Sequence, residues 1–253
     1  MLLLKLLLVP SLIGIVTLLG RRFGAAIAGL IAGFPIVAGP ILLLVAIEQG
    51  IAFAADTAVG ALAATIANVF FCLAYAWTAT RHPWWACLMT GFTAFAAVAA
   101  LLTVVPLSVY WLFALALICI LGATRLFPRN VDPRPLAPPP AIELPARLLA
   151  SALLVLAVTY FASTLGSRMS GIFSAPPLLA SVLAGFSHPV SGAGFAIRLL
   201  QGMVSGFYAL ATFCFALAML LPRLGTGLGF TIALALSVSA GAFMAWYRRA
   251  ARA

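Results

Sequence analysis

Charged residues are scarce in this chain, which has 14 basic and 4 acidic residues among 253. Apolar residues make up 65% of it, whereas a soluble domain is about 45–50% apolar and about a quarter charged. So few charges cannot cover the surface of a water-soluble fold of this size. The composition therefore excludes a soluble enzyme, a disordered chain and a nucleic-acid-binding domain. It predicts an all-α polytopic membrane protein.

Groups that could carry enzyme chemistry or hold a metal are equally sparse. The sequence has no paired carboxylates, no Ser/His/Asp set and no glycine-rich phosphate loop. The four cysteines lie inside apolar runs without a C-x-x-C pair, as is typical of buried structural cysteines. His82 and His188 are far apart in the sequence. We therefore predict no enzymatic activity, no catalytic residue, no metal site and no cofactor.

Apolar runs long enough to cross a bilayer, about 20 residues each, occur nine times. They lie at 3–20, 24–48, 56–79, 84–105, 107–125, 147–166, 171–187, 199–221 and 225–247. The first run lacks a small-residue cleavage site and is followed by Arg21-Arg22, which predicts a retained span rather than a signal peptide. We therefore predict about nine transmembrane helices.

A proline-rich stretch at 127–146 is the one clear linker, and Glu143 within it is interpreted as a solubilising charge. It divides the chain into a first four-helix unit at 1–106, a linking helix and cytoplasmic linker at 107–146, and a second four-helix unit at 147–253.

The basic residues predict the orientation of these spans. With nine spans, eleven basic residues fall on one side and three on the other. Because basic loops stay in the cytoplasm, this bias places the N-terminus outside and the C-terminus in the cytoplasm. Merging residues 84–125 into one kinked span gives a weaker bias, nine against five.

An internal repeat appears when the chain is shifted by 142 residues. Between 29 and 74 the shift gives 11 identities in 46 positions, among them Pro35 with Pro177 and Gly50 with Gly192. A duplicated unit, spans 1–4 and 6–9 joined by span 5, is the favoured interpretation, and chance similarity between alanine-rich helices is the alternative. An odd number of spans separates the two starts, so the units are expected in opposite orientations. Such inverted repeats are a hallmark of secondary transporters.

The first unit also resembles a known family. The run AGLIAGFPIVAGPILLLVAIEQG, followed by a span ending in FFCLAYAW, is similar to the small GlpM-type bacterial membrane proteins. The resemblance covers about residues 24–80 and, more faintly, 171–221, where Pro176-Pro177 replaces Phe34-Pro35. That family is linked to envelope polysaccharide production. The resemblance implies a multi-pass protein of the bacterial inner (cytoplasmic) membrane and does not indicate a substrate.

Interrupted helices are the strongest sequence indication of a binding site. Gly33, Pro35 and Gly39 fall within the second span, and Pro176 and Pro177 fall in its counterpart. Proline removes a backbone donor and breaks the helix. In a membrane the freed groups must face protein or a water-filled cavity, and paired broken helices are typical of a midplane substrate site. A packing kink is the alternative.

Few polar residues accompany these breaks. Asp56 and Arg198 occupy equivalent repeat positions. Asp56 is interpreted as a helix cap or an ion-coupling group, and Arg198 as a snorkelling side chain or a ligand for an anionic substrate. Glu48 is either an ion-coupling carboxylate or a solvated loop residue. Asn68 is helix–helix glue or a substrate contact, and Tyr208 is a lining residue or an interface anchor.

Together these features predict a secondary transporter that moves a small or amphiphilic solute, anions included, by alternating access. The alternative is a translocase for a lipid or lipid-linked carrier, or a scaffold for envelope polysaccharide production. A channel would need a continuous polar stripe, which the sequence lacks. The expected partners are membrane lipid, a small-molecule or lipid substrate and a second copy of the chain in a homodimer, without nucleic acid.

Overall fold

The computed structural model describes residues 2–105, 107–128, 143–164 and 177–250. These residues form helices joined by short turns, and no strand occurs among them. The helices are α1 (Leu2–Phe23), α2 (Ala25–Ala32), α3 (Ala38–Gln49), α4 (Ile51–Thr78), α5 (Trp84–Val104), α6 (Val109–Leu126), α7 (Glu143–Thr164), α8 (Leu178–Ser191) and α9 (Ala193–Ala250).

Four of the described helices are long and apolar enough to cross a membrane: α4, α5, α6 and α9. Helices α4 and α9 are mostly buried and form the centre of the fold, whereas α5 and α6 are mostly exposed at its periphery. The outward faces of α5 and α6 carry large apolar side chains such as Met89, Val104, Trp111 and Ile118. A helical membrane protein accounts for these faces, since lipid tails accept apolar side chains that water would not.

Helix α9 is 58 residues long and consists of two arms that meet at Gly225. Gly225 has φ 72°, a backbone conformation that L side chains rarely adopt, and it follows Pro222 closely. The second arm folds back along the first, and the Ser237 hydroxyl donates a hydrogen bond of 2.9 Å to the Ala209 carbonyl. The two arms match the apolar runs predicted at 199–221 and 225–247.

The second apolar run is interrupted, as the sequence predicts. Residues 33–37 leave the helix between α2 and α3, and the Pro35 carbonyl accepts a hydrogen bond of 2.7 Å from the Gly39 amide. Pro177 directly precedes α8, and its carbonyl accepts a hydrogen bond of 2.8 Å from the Ser181 amide. Pro35 therefore lies within the break ahead of α3, and Pro177 lies directly before the first residue of α8.

Glycines bring α2 and the first arm of α9 into unusually close contact. Gly29 on α2 and Gly33 directly after it pack against the stretch of α9 that contains Gly202 and Gly206, so each side of the contact presents glycines four residues apart. A Cβ on Gly29 would lie 1.9 Å from the Leu199 carbonyl oxygen, and one on Gly206 would lie 2.3 Å from that of Leu30. The short helix α2 is thus fixed backbone to backbone against the centre of the fold.

Candidate functional site

A cluster of buried charges joins α1, α7 and α8. Arg147 is 4% exposed and Glu143 is 6% exposed, and the two side chains form an ion pair within α7. The other Glu143 oxygen pairs with the Arg21 guanidinium of α1 at 3.1 Å. Arg21 is half-exposed, so this end of the cluster is the more accessible one.

Arg147 also bonds to hydroxyl groups on both neighbouring helices. Its Nη1 donates to Thr17 Oγ1 of α1 at 3.2 Å, and its Nη2 donates to Ser187 Oγ of α8 at 3.1 Å. The guanidinium lies 5.9 Å from the centre of the Phe186 ring, within the range of a cation–π contact. Its Nε is buried without a hydrogen-bond partner among the described residues. Three hydrogen-bonding contacts and one cation–π contact thus hold the guanidinium, while its Nε atom stays without a partner among the described residues.

Helix geometry explains why these side chains meet. Glu143 and Arg147 are four residues apart on α7, so they lie on the same face, in the favourable order of acid before base. Glu143 is in the first turn of α7 and Arg21 in the last turn of α1, where the helix dipole stabilises each charge. Arg21 contacts Glu143, and Thr17 contacts Arg147. The earlier α1 residue thus meets the later α7 residue, so the two helices are antiparallel.

The cluster continues into α4 through His188, which follows Ser187 on α8. His188 Nδ1 lies 3.3 Å from the Tyr75 hydroxyl near the end of α4, within hydrogen-bonding distance. Tyr75 is fully buried and His188 is half-buried. The polar contacts therefore connect α1, α7, α8 and α4 near one end of the bundle.

An apolar groove lies beside this cluster, between α5, α7 and α8. Its volume is about 330 Å³, and Trp84, Phe92, Ala150, Leu154, Val182 and Phe186 are among the side chains that line it. Phe186 belongs to both features, since its ring also contacts the Arg147 guanidinium. The groove offers an apolar surface next to a buried cation.

The residues predicted from the first helix break, Gly33, Pro35 and Gly39, lie elsewhere, between α2, α3 and α9. Gly33 and Pro35 are buried at the break. Gly33 has a packing role there, because a Cβ on it would lie 2.2 Å from the Met203 carbonyl oxygen. Gly39 is half-buried in the first turn of α3, and a Cβ on it would lie 3.8 Å from the Phe213 ring. Pro177 is buried ahead of α8. Pro176 lies outside the described residues.

The other predicted site residues are dispersed. Asn68 is half-buried in α4, and Tyr208 is buried in the first arm of α9. Asp56 is exposed in the first turns of α4, and its repeat counterpart Arg198 is half-buried in the first turns of α9. Glu48 is exposed at the end of α3. The structure does not gather these residues into the charged cluster.

Glu143 and Arg147 were not identified as site residues from the sequence, because Glu143 falls within the predicted linker and Arg147 directly after it. The structure begins α7 at Glu143, so that the glutamate is a buried helical residue. The available signal was an acid and a base four residues apart at the start of an apolar run.

Among the described residues, no three His, Cys, Asp or Glu side chains come together. Comparison of the chain with family models, with curated proteins and with solved structures finds no match. The resemblance to GlpM-type proteins therefore stays a prediction.

Proposed function

We propose that this chain is a membrane carrier that moves a small or amphiphilic solute by alternating access between two inverted four-helix units. The first unit would comprise α1 to α5, with α2 and α3 as one interrupted span. The second would comprise α7, α8 and the two arms of α9, and α6 would link the units. Nine crossings follow from this arrangement, with the N-terminus outside and the C-terminus in the cytoplasm of a bacterial inner membrane.

The antiparallel packing of α1 against α7 is the observation that carries this proposal. These are the first helices of the two units. Arg21 contacts Glu143 and Thr17 contacts Arg147, which gives the helices opposite directions. Two copies of one unit that begin with antiparallel helices are inverted relative to each other, as in many secondary transporters.

Repeated local geometry supports the duplication. Gly50 and Gly192, at equivalent positions, adopt φ 91°, ψ 166° and φ 83°, ψ 164° between successive helices. Each carbonyl accepts a hydrogen bond from the amide four residues on, at 3.1 Å from Ala54 and 3.3 Å from Ala196. The equivalent Pro35 and Pro177 carbonyls likewise bond to Gly39 and Ser181. Gly24, ahead of α2, adopts the same turn, so the support for the duplication lies in the equivalent sequence positions of Gly50 and Gly192 rather than in the turn itself.

The burial pattern of the two units agrees as well. Phe71 and Cys72 on α4 are fully buried, and so are their counterparts Phe213 and Cys214 on α9. Helices α4 and α9 also share an extensive interface at the centre of the fold. A pseudo-two-fold axis between these helices would relate the two units, and substrates of such carriers bind near the repeat interface.

The ion pair between α1 and α7 suits a gate on the cytoplasmic side. The positive-inside prediction assigns Arg21 and Arg147 to that side, and the polar contacts of Glu143 and Arg147 join helices of both units. Opening a path at this end would break the Arg21–Glu143 pair, and closing it would restore the pair. Partly exposed pairs contribute little to stability, so this exchange is energetically accessible.

A lipid-directed role is the second candidate, and the apolar groove between α5, α7 and α8 favours it. The groove is lined almost wholly by apolar side chains, which suits an acyl chain better than a hydrophilic solute. A translocase for a lipid or lipid-linked carrier would use the same inverted architecture.

Transport by purified protein in liposomes tests the proposal. The probes are tritiated succinate, a small anion, and tritiated taurocholate, an amphiphilic anion that crosses bilayers slowly. We expect saturable uptake of at least one probe, accelerated when the same unlabelled anion is loaded inside. Pro35→Ala should slow it about tenfold, because restoring a continuous helix removes the break.

Arg125→Ala is the matched control, since Arg125 is exposed at the end of α6, and it should transport at the rate of the unmodified protein. Uptake no greater than in protein-free liposomes for both probes would overturn the proposal. Unsaturable flux without exchange would indicate a channel instead.

A further inference from the structure

We propose that Arg147 and the groove between α5, α7 and α8 form a binding site for a single-chain anionic amphiphile, whose head group pairs with Arg147 while its tail occupies the groove. This inference names the substrate class of the carrier and in that respect rests on the proposed function. The site itself can be tested without transport.

The charge of the cluster favours an anion. Two guanidinium groups, Arg21 and Arg147, share one carboxylate, Glu143. A buried charge is costly unless it is paired and hydrogen-bonded. The cluster thus lacks a second anion to balance the two guanidinium groups, and it also lacks an acceptor for the Nε donor of Arg147. A carboxylate or phosphate head group would satisfy both, since arginine binds such groups with two parallel hydrogen bonds.

Glu143 can release Arg147 without becoming unpaired. Its Oε2 atom already accepts from Arg21, while Oε1 accepts from Arg147. An incoming anion would therefore replace Oε1 at Arg147 and leave the Arg21 pair in place. Glu143 thus acts as a built-in competitor of the bound head group.

Phe186 connects the groove to this guanidinium. Phe186 lines the groove and its ring centre lies 5.9 Å from the Arg147 guanidinium, and Ala150 lines the groove about one helical turn after Arg147 on α7. The volume of about 330 Å³ is near the lower end of the roughly 300–1,000 Å³ of ligand pockets. A groove of this size accommodates one hydrocarbon chain rather than the two of a phospholipid.

Fluorescence quenching of Trp84, which lines the groove, tests the site in the whole protein. The other tryptophans (Trp77, Trp85, Trp111 and Trp246) are replaced by phenylalanine. The probe is stearate with a doxyl quencher on its chain, ionised at alkaline pH and added in maltoside micelles. Its methyl ester is the uncharged control. We expect the stearate to bind at least tenfold more tightly than the ester, the discrimination that one charge-assisted hydrogen-bonding group supplies.

Three variants separate the head-group contact from the tail contact. E143Q removes the competitor and should tighten stearate binding several-fold while ester binding stays unchanged. E143Q with R147Q should abolish the preference for the stearate. Ala150→Phe should fill the groove and abolish quenching of Trp84 by both probes.

Equal quenching by stearate and ester in the unmodified protein would overturn the proposal. Weaker stearate binding in E143Q would do so as well, since a purely structural Glu143 predicts loss rather than gain. Preferential quenching by doxyl-labelled phosphatidylglycerol would identify a bilayer-lipid site and refute the single-chain assignment. Quenching as predicted in a protein that fails to transport would retain this site and refute the carrier instead.

Discussion

Replacing Gly29 with alanine is expected to lower the free energy of unfolding by at least about 3 kcal/mol, because the added methyl group has no space. Its Cβ would lie 1.9 Å from the carbonyl oxygen of Leu199 and 2.8 Å from the carbonyl carbon. Both atoms belong to the backbone of α9, so a rotamer change cannot relieve the clash. Helix α2 would have to move away from α9. Unfolding in mixed detergent micelles, followed by circular dichroism, measures the loss.

Gly122→Ala provides the matched control for Gly29→Ala. Gly122 is also a glycine within a helix, but a Cβ there would meet no heavy atom within 4 Å. Alanine is the better helix former, so this variant should be slightly more stable than the unmodified protein, by about 0.5 kcal/mol. Equal effects of the two substitutions would contradict the close contact between α2 and α9.

Replacing Arg147 with methionine is expected to cost about 3 kcal/mol of unfolding free energy, since it leaves the Glu143 carboxylate buried with only Arg21 to compensate it. The Thr17 and Ser187 hydroxyl groups lose their bonds to Arg147 as well. The same unfolding measurement applies.

The double variant Glu143→Leu with Arg147→Met distinguishes pairing from packing. Apolar residues of similar volume often replace a buried ion pair without loss of stability, so the double variant should recover most of the loss. Arg125→Met, at an exposed arginine, should change stability little. A double variant as unstable as Arg147→Met alone would show that the ion pair does not govern this site.

Much of the helical framework could be predicted from the sequence, because apolar run length and helix-breaking residues are local properties. The runs at 84–105 and 107–125 appear as α5 and α6, with boundaries within two residues of those predicted. The interruption after Gly33 and the end of the first α9 arm at Gly225 fall where glycine and proline indicate them. Residues close together in the sequence determine these features.

The charged cluster could not be predicted in the same way, because it depends on contacts between distant parts of the chain. Arg147 meets Thr17 from 130 residues earlier and Ser187 from 40 residues later. The count of basic residues for topology used Arg147 only as one of the eleven on the cytoplasmic side, and it did not indicate that this side chain is buried. The contact of Gly29 with Leu199 is equally non-local.

The predicted site residues illustrate the same limit. Gly33 was assigned to a substrate site because it adjoins a helix break, and the structure gives it a packing role against Met203 and Gly206. The roles of the other site residues stay predictions: Asn68, Arg198 and Tyr208 as substrate contacts, and Glu48 and Asp56 as ion-coupling groups. Transport by single variants at these positions would test each role.

Inversion of the two units is the central claim, and side-specific labelling of a pair of equivalent positions tests it most directly. Gln49 and Ser191 end α3 and α8 and differ by the repeat shift. Each is changed to cysteine in turn, in a protein whose native Cys72, Cys87, Cys119 and Cys214 are replaced by alanine. Cells and inverted membrane vesicles are then treated with a membrane-impermeant maleimide. Inverted units predict that the cysteine at 49 reacts from outside the cell and the one at 191 only from the cytoplasmic side. Reaction of both from the same side would contradict the inversion.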